Sequence, residues 1–81
     1  MRISLGAFGA LRKHLPDYRE EVEADLPEGS VVTDLLALFG VDLDEIGLIT
    51  VNGQMASETA CLTAGDRVEI FSPMEGGGFL V

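Results

Sequence analysis

The sequence predicts a two-layer α+β domain in which a single helix packs across a β-sheet. Apolar and polar residues alternate at 2–8 and 21–26, as in strands with one buried face. Apolar residues recur with helical spacing from 32 to 39, and Asn52-Gly53 lies between two short apolar stretches, as in a tight hairpin. Because one helix cannot bury its apolar face alone, it must cover the sheet.

The first two strands are expected to form a hairpin with one wet face. In "RISLGAF" one side carries Ile3, Leu5 and Ala7, and the other carries Arg2, Ser4 and Phe8. A polar, proline-containing connection, "RKHLPDY", leads to the second strand in "EEVEADL". There the inward positions are Val22, Ala24 and Leu26, and the acidic residues between them face water.

The helix is expected in "PEGSVVTDLLALFG", where one face carries Val32, Leu35, Leu36 and Phe39. Ser30 is the expected cap of the first turn, and Asp34 suits the positive end of the helix dipole. Gly40 supplies the left-handed stop. Both ends of the helix are therefore specified locally.

The second half of the chain is expected to add three strands. "VDLDEIG" is an acidic, solvated turn, and "LITVNGQMA" forms two short strands around Asn52-Gly53. "LTAGDRVEIFS" forms a turn and a last strand with Val68 and Ile70 pointing inward, which Pro73 ends. The prediction is one folded domain at residues 1–73 and a flexible glycine-rich tail at 74–81.

Charge and hydropathy limit the partners. The 81 residues include 5 Lys and Arg against 14 Asp and Glu, a net charge of −9, which disfavours nucleic acid. No run of about 18 apolar residues and no cleavable leader is visible, so a soluble, cytoplasmic protein with no membrane partner is expected.

Few residues suggest catalysis or metal binding. Cys61 is a lone cysteine, expected to be a half-buried structural thiol. His14 is expected at the surface without a chemical role, and Asp42, Asp44 and Glu45 lack the calcium-loop pattern. Because no nucleophile is paired with a base, the sequence gives almost no support to a free-standing enzyme.

Four stretches, in this order, resemble the MoaD/ThiS family of sulfur carriers: "GAFGALRKHL", "LPEGSVVTDLLALF", "VNG" and "LTAGDRVEIFSPMEGG". Together they cover nearly the whole chain, and the proline in "FSPMEGG" is closer to the molybdopterin branch than to the thiamine branch. The resemblance implies the ubiquitin-like β-grasp fold, with a mixed sheet of four to five strands and one main helix. "VNG" and "AGDRVEI" also occur in TGS-type domains, so a non-conjugating binding or regulatory module with an inert tail is the alternative.

The resemblance also implies a function for the glycine run. In the family, an adenylating enzyme uses ATP to activate the carboxylate of a terminal Gly-Gly, which becomes a thiocarboxylate and donates sulfur. The carrier itself is not an enzyme and binds no cofactor, and a sulfur-accepting synthase subunit is its second partner. Glycine has no Cβ, so such a tail can thread a narrow active site. The expected reactive residues are Gly77 and Gly78.

Three residues follow the glycines: Phe79, Leu80 and Val81. They block the expected reactive carboxylate, so we expect a peptidase to remove them and leave Gly77-Gly78. A cut one residue earlier leaves Gly76-Gly77, and the sequence does not separate the two sites. Alternatively, the tail is never cut and its apolar end docks on a partner or on the sheet.

Phe8 and Phe71 are expected to form an exposed aromatic patch. Both point away from the helix, on strands that are neighbours in a β-grasp sheet. With Pro73, such a patch is a predicted docking surface for partners. If the register is shifted by one residue, or a loop covers one ring, the rings are buried instead.

Overall fold

The computed structural model describes residues 1–73, which form five strands, one α-helix and three short 3-10 turns. The strands are β1 (Arg2–Phe8), β2 (Glu21–Asp25), β3 (Leu48–Val51), β4 (Gln54–Met55) and β5 (Arg67–Phe71). The helix is α1 (Val32–Leu38). The 3-10 turns are Gly9–His14, Pro16–Tyr18 and Leu43–Glu45.

The strands form one sheet in the order β2-β1-β5-β3-β4. The central pair, β1 and β5, is parallel, and every other pair is antiparallel. Joining the first and last strands of the chain side by side, with the helix between the two hairpins in sequence, is the β-grasp arrangement. The expected element order and fold class are therefore confirmed.

The core lies between α1 and one face of the sheet. The alternation predicted for β1 and β5 and the helical spacing predicted for α1 are both confirmed by burial. The most buried of these side chains are Ile3, Leu5, Ala7, Val32, Leu35, Leu36, Val68 and Ile70. Each large aliphatic side chain of this kind contributes about 1.5–3 kcal/mol when removed from water.

The connection between β1 and β2 contributes more to the core than its polar composition suggests. Leu11 and Leu15 are both buried there, 1% and 3% exposed. The 3-10 turn Gly9–His14 directs Leu11 inward, and Leu15 follows immediately after that turn. The four-residue spacing of the two leucines was a weak signal, because a single pair does not establish a period.

The helix begins differently from the prediction. Val31, not Ser30, precedes the first helical residue, so the expected Ser30 cap is wrong. The Ser30 hydroxyl donates instead to the Pro27 carbonyl at 2.8 Å. Asp34 caps the helix by accepting the Val31 N–H at 2.9 Å.

The next two amides at the helix start are bound from another part of the chain. The N–H groups of Val32 and Thr33 donate to the carbonyls of Ala60 and Glu58 at 3.1 and 3.0 Å. A loop distant in sequence thus satisfies amides that a side-chain cap satisfies in other helices.

The predicted turns are confirmed by their backbone angles. Asn52 and Gly53 have φ of 54° and 84°, which suits a two-residue hairpin turn with positive φ at both central positions. The Asn52 side chain fixes this turn to the next strand: its amide donates to Asp66 at 2.9 Å, and its oxygen accepts the Arg67 N–H at 3.0 Å. Gly40, with φ of 69°, follows the helix as expected.

Cys61 is exposed rather than half-buried, so that expectation is wrong. It forms an isolated bridge with Val31, and the neighbouring Leu62 takes the buried position. The sequence around Cys61 is apolar on both sides, so it did not show whether Cys61 or Leu62 faces inward. In the part of the chain from residue 1 to 73, no helix has the length and apolar character needed to cross a membrane.

Candidate functional site

An apolar row crosses the open face of the sheet, the face that α1 does not cover. In the strand register, Phe8 of β1 and Leu48 of β3 both lie opposite Phe71 of β5. The rings of Phe8 and Phe71 are stacked, with centroids 4.7 Å apart and an interplanar angle of 9°. Phe8 remains 36% exposed. The expected register is confirmed, and the patch is accessible on the sheet surface.

This apolar row is one wall of a groove of about 410 Å³, called here the aromatic groove. Its lining residues are Phe8, Gly9, Gly47, Leu48, Phe71, Ser72 and Pro73. Because Ser72 and Pro73 follow β5 directly, the chain leaves the sheet along the groove itself. The predicted docking residues, Phe8, Phe71 and Pro73, are thus brought together.

Carboxylates lie beside the apolar row on the same face. In the register, Glu21 of β2 and Glu69 of β5 both lie opposite Gly6 of β1, two positions from Phe8 and Phe71. The Thr50 hydroxyl donates to Glu69 at 3.3 Å and holds that side chain across the sheet. With a net charge of −9, the chain offers an apolar centre with acidic neighbours.

His14 and Glu45 meet near the point where the chain leaves β5. The His14 ring nitrogen Nε2 lies 2.9 Å from Glu45 Oε1, and Lys13 Nζ lies 3.6 Å from the same oxygen. The side chain of His14 is only 17% exposed, so the expectation of a simple surface residue is wrong. Hydrogen bonds from His14 and from the Asp42 backbone hold the pKa of Glu45 below its ordinary value.

Several residues near the groove were not singled out from sequence. Leu48 was recognisable as a strand residue, and its outward direction follows from alternation. Gly9 and Gly47 gave no signal, because their role depends on what packs against them. The predicted reactive residues lie outside the described residues, as do those predicted to be removed: Gly76, Gly77, Gly78, Phe79, Leu80 and Val81.

The described residues offer the aromatic groove as a binding surface. Between residues 1 and 73, no group of three or more His, Cys, Asp or Glu side chains is arranged to hold a metal ion. The aromatic groove combines stacked rings with the backbone of the departing chain. An apolar surface of this kind suits the docking of another protein.

Fold and site together define a ubiquitin-like β-grasp domain with an apolar row on its open face, beside the residues that follow β5. The model of the ThiS family matches residues 8–77, which is most of the chain. The protein belongs to the ThiS family, within the ThiS/MoaD-like group of ubiquitin-fold sulfur carriers.

Comparisons with individual proteins agree with this fold. SAMP1 from Haloferax volcanii superposes with a TM-score of 0.76 at 23% identity, covering 95% of this chain and 100% of that one. A putative molybdopterin converting factor subunit 1 from Pyrococcus furiosus has a TM-score of 0.71 at 28% identity, covering 90% and 98%. A complex of subunits 1 and 2 of the molybdopterin-converting factor from Helicobacter pylori gives a TM-score of 0.63 at 17% identity, covering 95% and 100%.

One curated relative matches by sequence. The protein RnfH of Burkholderia mallei is 38% identical over 66 residues, which is 74% of this chain. The alignment spans only 60% of the relative's own length.

Proposed function

We propose that this protein is a sulfur carrier that docks on an adenylating enzyme and presents a glycine carboxyl end for conversion to a thiocarboxylate. One observation carries the proposal: the apolar row lies at the end of the sheet from which the chain leaves toward the glycines. Docking of that row would place the departing tail beside the partner's active site. Membership of the ThiS family supports the same role.

The proposed chemistry takes place in the partner's active site. The terminal glycine carboxylate attacks the α-phosphate of ATP, pyrophosphate leaves, and an acyl adenylate forms. A sulfide-level nucleophile of the hydrosulfide class then attacks the carbonyl carbon, and the bond to AMP breaks. A thiocarboxylate remains, a proton is released, and no net oxidation or reduction occurs. The carrier contributes no catalytic residue and binds no cofactor, and ATP is used by the partner.

The carboxyl end that reacts in this proposal is a glycine. Removal of Phe79, Leu80 and Val81 by a peptidase leaves Gly78 at the end, and a cut one residue earlier leaves Gly77. A glycine end passes through a narrow channel because it has no Cβ. A phenylalanine followed by two branched residues fills far more space and does not fit such a channel.

The charge distribution supports a protein partner with a basic surface around an apolar centre. Glu21 and Glu69 lie beside the apolar row, and opposite charges across an interface accelerate encounter and disfavour wrong partners. The same net charge of −9 repels nucleic acid. The stacked rings are aromatic side chains of the kind enriched in such interfaces, and their exposed edges are available to a partner.

We favour a molybdopterin-type acceptor for the sulfur. Pro73 directly after the last strand region and the likeness to the Pyrococcus furiosus protein support this choice. The Helicobacter pylori structure pairs a similar subunit 1 with a subunit 2. A second subunit of that kind is the proposed sulfur-accepting partner, and it would use the same open face after the adenylating enzyme leaves.

The proposal is tested by ATP–pyrophosphate exchange with the adenylating enzyme of the same organism. Three forms are compared: the 81-residue chain, a form ending at Gly78 and a form ending at Gly77. At least one trimmed form should support exchange, whereas the 81-residue chain should not. With a sulfur donor present, intact-mass spectrometry should show one oxygen replaced by sulfur.

A matched control replaces the terminal glycine of the active trimmed form, Gly78→Ala or Gly77→Ala, which adds one methyl group at the reacting end. It should dock normally and exchange poorly. If neither trimmed form supports exchange, the carrier function is wrong. The alternative, a β-grasp binding module with an inert tail, then gains support, since the tail serves no chemistry.

A further inference from the structure

The chain leaves the sheet between two glycines. Gly9 follows β1 and lies beside Ser72, and Gly47 precedes β3 and lies beside Pro73. A Cβ atom added to Gly9 would overlap Ser72 Oγ. A Cβ atom added to Gly47 would lie 2.8 Å from Pro73 Cα and 3.0 Å from its nitrogen. Gly9 also has a φ of 69°, which favours glycine by itself, so the steric argument for a missing side chain depends on Gly47.

Gly47 is the more informative of the two. Its φ is not positive, so a larger residue could adopt its backbone conformation. Only the closeness of Pro73 excludes a side chain there. The Gly47 N–H donates to the Phe71 carbonyl at 2.7 Å. Pro73 has no N–H, so the hydrogen bonding between the two strands cannot continue through it. The segment thus stays in contact with Gly47 as it leaves the sheet.

The two segments that carry these glycines are joined by a side-chain contact. The 3-10 turn Gly9–His14 ends with His14, and the turn Leu43–Glu45 ends two residues before Gly47. His14 Nε2 lies 2.9 Å from Glu45 Oε1, which links the two turns. Glu45 also lines a cavity with Ser72 and Pro73, so this link lies next to the departing chain.

We propose that Gly9 and Gly47, held in place by the His14–Glu45 contact, form an exit slot that sets the direction in which the tail leaves the domain. The effect of the exit slot on a reaction rests on the proposed carrier function. A carrier docked through its apolar row must deliver its carboxyl end to a fixed point in the partner's active site. Gly47 is then a positioning residue, which affects the reaction rate without contacting the reacting atoms.

The steric test is Gly47→Ala in whichever trimmed form, ending at Gly78 or at Gly77, supports pyrophosphate exchange with the adenylating enzyme. Because displacement of a reacting group by about 1 Å lowers rates up to about 100-fold, we expect kcat to fall by roughly tenfold or more. KM and the Kd for the enzyme should change by less than about threefold, because the apolar row is intact. The matched control is Gly65→Ala, whose φ of 88° is strained but which has no atom within 4 Å. It should destabilise the domain and leave kcat unchanged.

A second variant tests the exit slot without introducing a steric overlap with Pro73. Glu45→Ala removes the contact with His14, together with those to Lys13 and the Asp42 N–H. As its control, Asp44→Ala removes an exposed carboxylate from the same turn. We expect Glu45→Ala to lower kcat without changing KM, and Asp44→Ala to change neither. If Glu45→Ala and Gly47→Ala both leave kcat unchanged, or if Gly65→Ala lowers it equally, the exit slot has no positioning role.

A structural measurement separates this inference from the carrier function. Residual dipolar couplings of the Met74 and Glu75 amides report the direction of the chain after Pro73 and require no enzyme. Gly47→Ala should change these couplings, and Gly65→Ala should not. Unchanged couplings in Gly47→Ala overturn the exit slot even if the carrier is adenylated. Changed couplings support it even if no adenylation is found, in which case only the proposed function fails.

Discussion

Replacing Phe8 by alanine tests the apolar row in a way that separates stability from docking. Phe8 is 36% exposed, so roughly two thirds of it is already buried. Full burial of a phenylalanine contributes about 1.5–3 kcal/mol, so the buried part contributes about 1–2 kcal/mol. Loss of the stack on Phe71 adds about 0.5–1.5 kcal/mol. We expect Phe8→Ala to lower the free energy of unfolding by about 1.5–3.5 kcal/mol.

The exposed third of Phe8 is what a partner can still cover. Covering it contributes about 0.5–1 kcal/mol, which corresponds to a roughly two- to fivefold weaker Kd in the variant. Urea unfolding followed by circular dichroism measures the first effect, and calorimetric titration with the adenylating enzyme measures the second. Both measurements are made at a temperature where the variant is folded.

Leu38→Ala is the matched control for Phe8→Ala. Leu38 lies on α1 and is 57% exposed, so it is a large exposed apolar residue on the other layer of the domain. Its removal should leave the Kd unchanged and lower the free energy of unfolding by about 0.5–1.5 kcal/mol, less than Phe8→Ala does, because less of its side chain is buried. If Phe8→Ala weakens binding no more than Leu38→Ala does, the apolar row is not the docking surface.

Three further predictions concern the domain itself. Leu35→Ala, at a fully buried position, should lower the free energy of unfolding by about 2–5 kcal/mol in urea titrations, and a loss below about 1 kcal/mol would contradict its core position. Asn52→Ala removes two hydrogen bonds and places alanine at φ of 54°, so it should destabilise by about 2–4 kcal/mol, clearly more than Asn52→Gly, which keeps the turn. The pKa of Glu45 is lowered chiefly by the His14 hydrogen bond, so its carboxylate stabilises the fold above the ordinary value of 4.5 and loses that effect as the pH falls through the folded-state pKa. His14→Ala should therefore raise the pKa of Glu45 toward 4.5 in an NMR titration, and an unchanged value would exclude the contact in solution.

The apolar row was largely predictable, because it follows from local alternation. Once β1 and β5 are adjacent strands, Phe8 and Phe71 must share a face, and only their relative register was open. The His14–Glu45 contact was not predictable in this way. It joins two turns 31 residues apart, and neither segment has a pattern that points to the other.

The capping of α1 was also not predictable from local sequence. Ser30 has the residue type and position of a cap, yet its hydroxyl binds Pro27 and the helix amides bind the carbonyls of Glu58 and Ala60. Capping preference describes what a residue does when only its neighbours in sequence influence it. Here the loop that contains Glu58 and Ala60 places its carbonyl oxygens within hydrogen-bond distance of the first helix amides.

The amino-acid sequence by itself determined the strands, the helix, their buried faces and the tight turns, because periodicity and backbone preference act over a few neighbouring residues. It also determined the acidic charge and the glycine run on which the proposed chemistry depends. Only the tertiary structure decided that the departing chain passes between Gly9 and Gly47, and that His14 and Glu45 hold those segments together. Such contacts depend on distances between atoms far apart in the chain, and these exist only after the sheet has assembled.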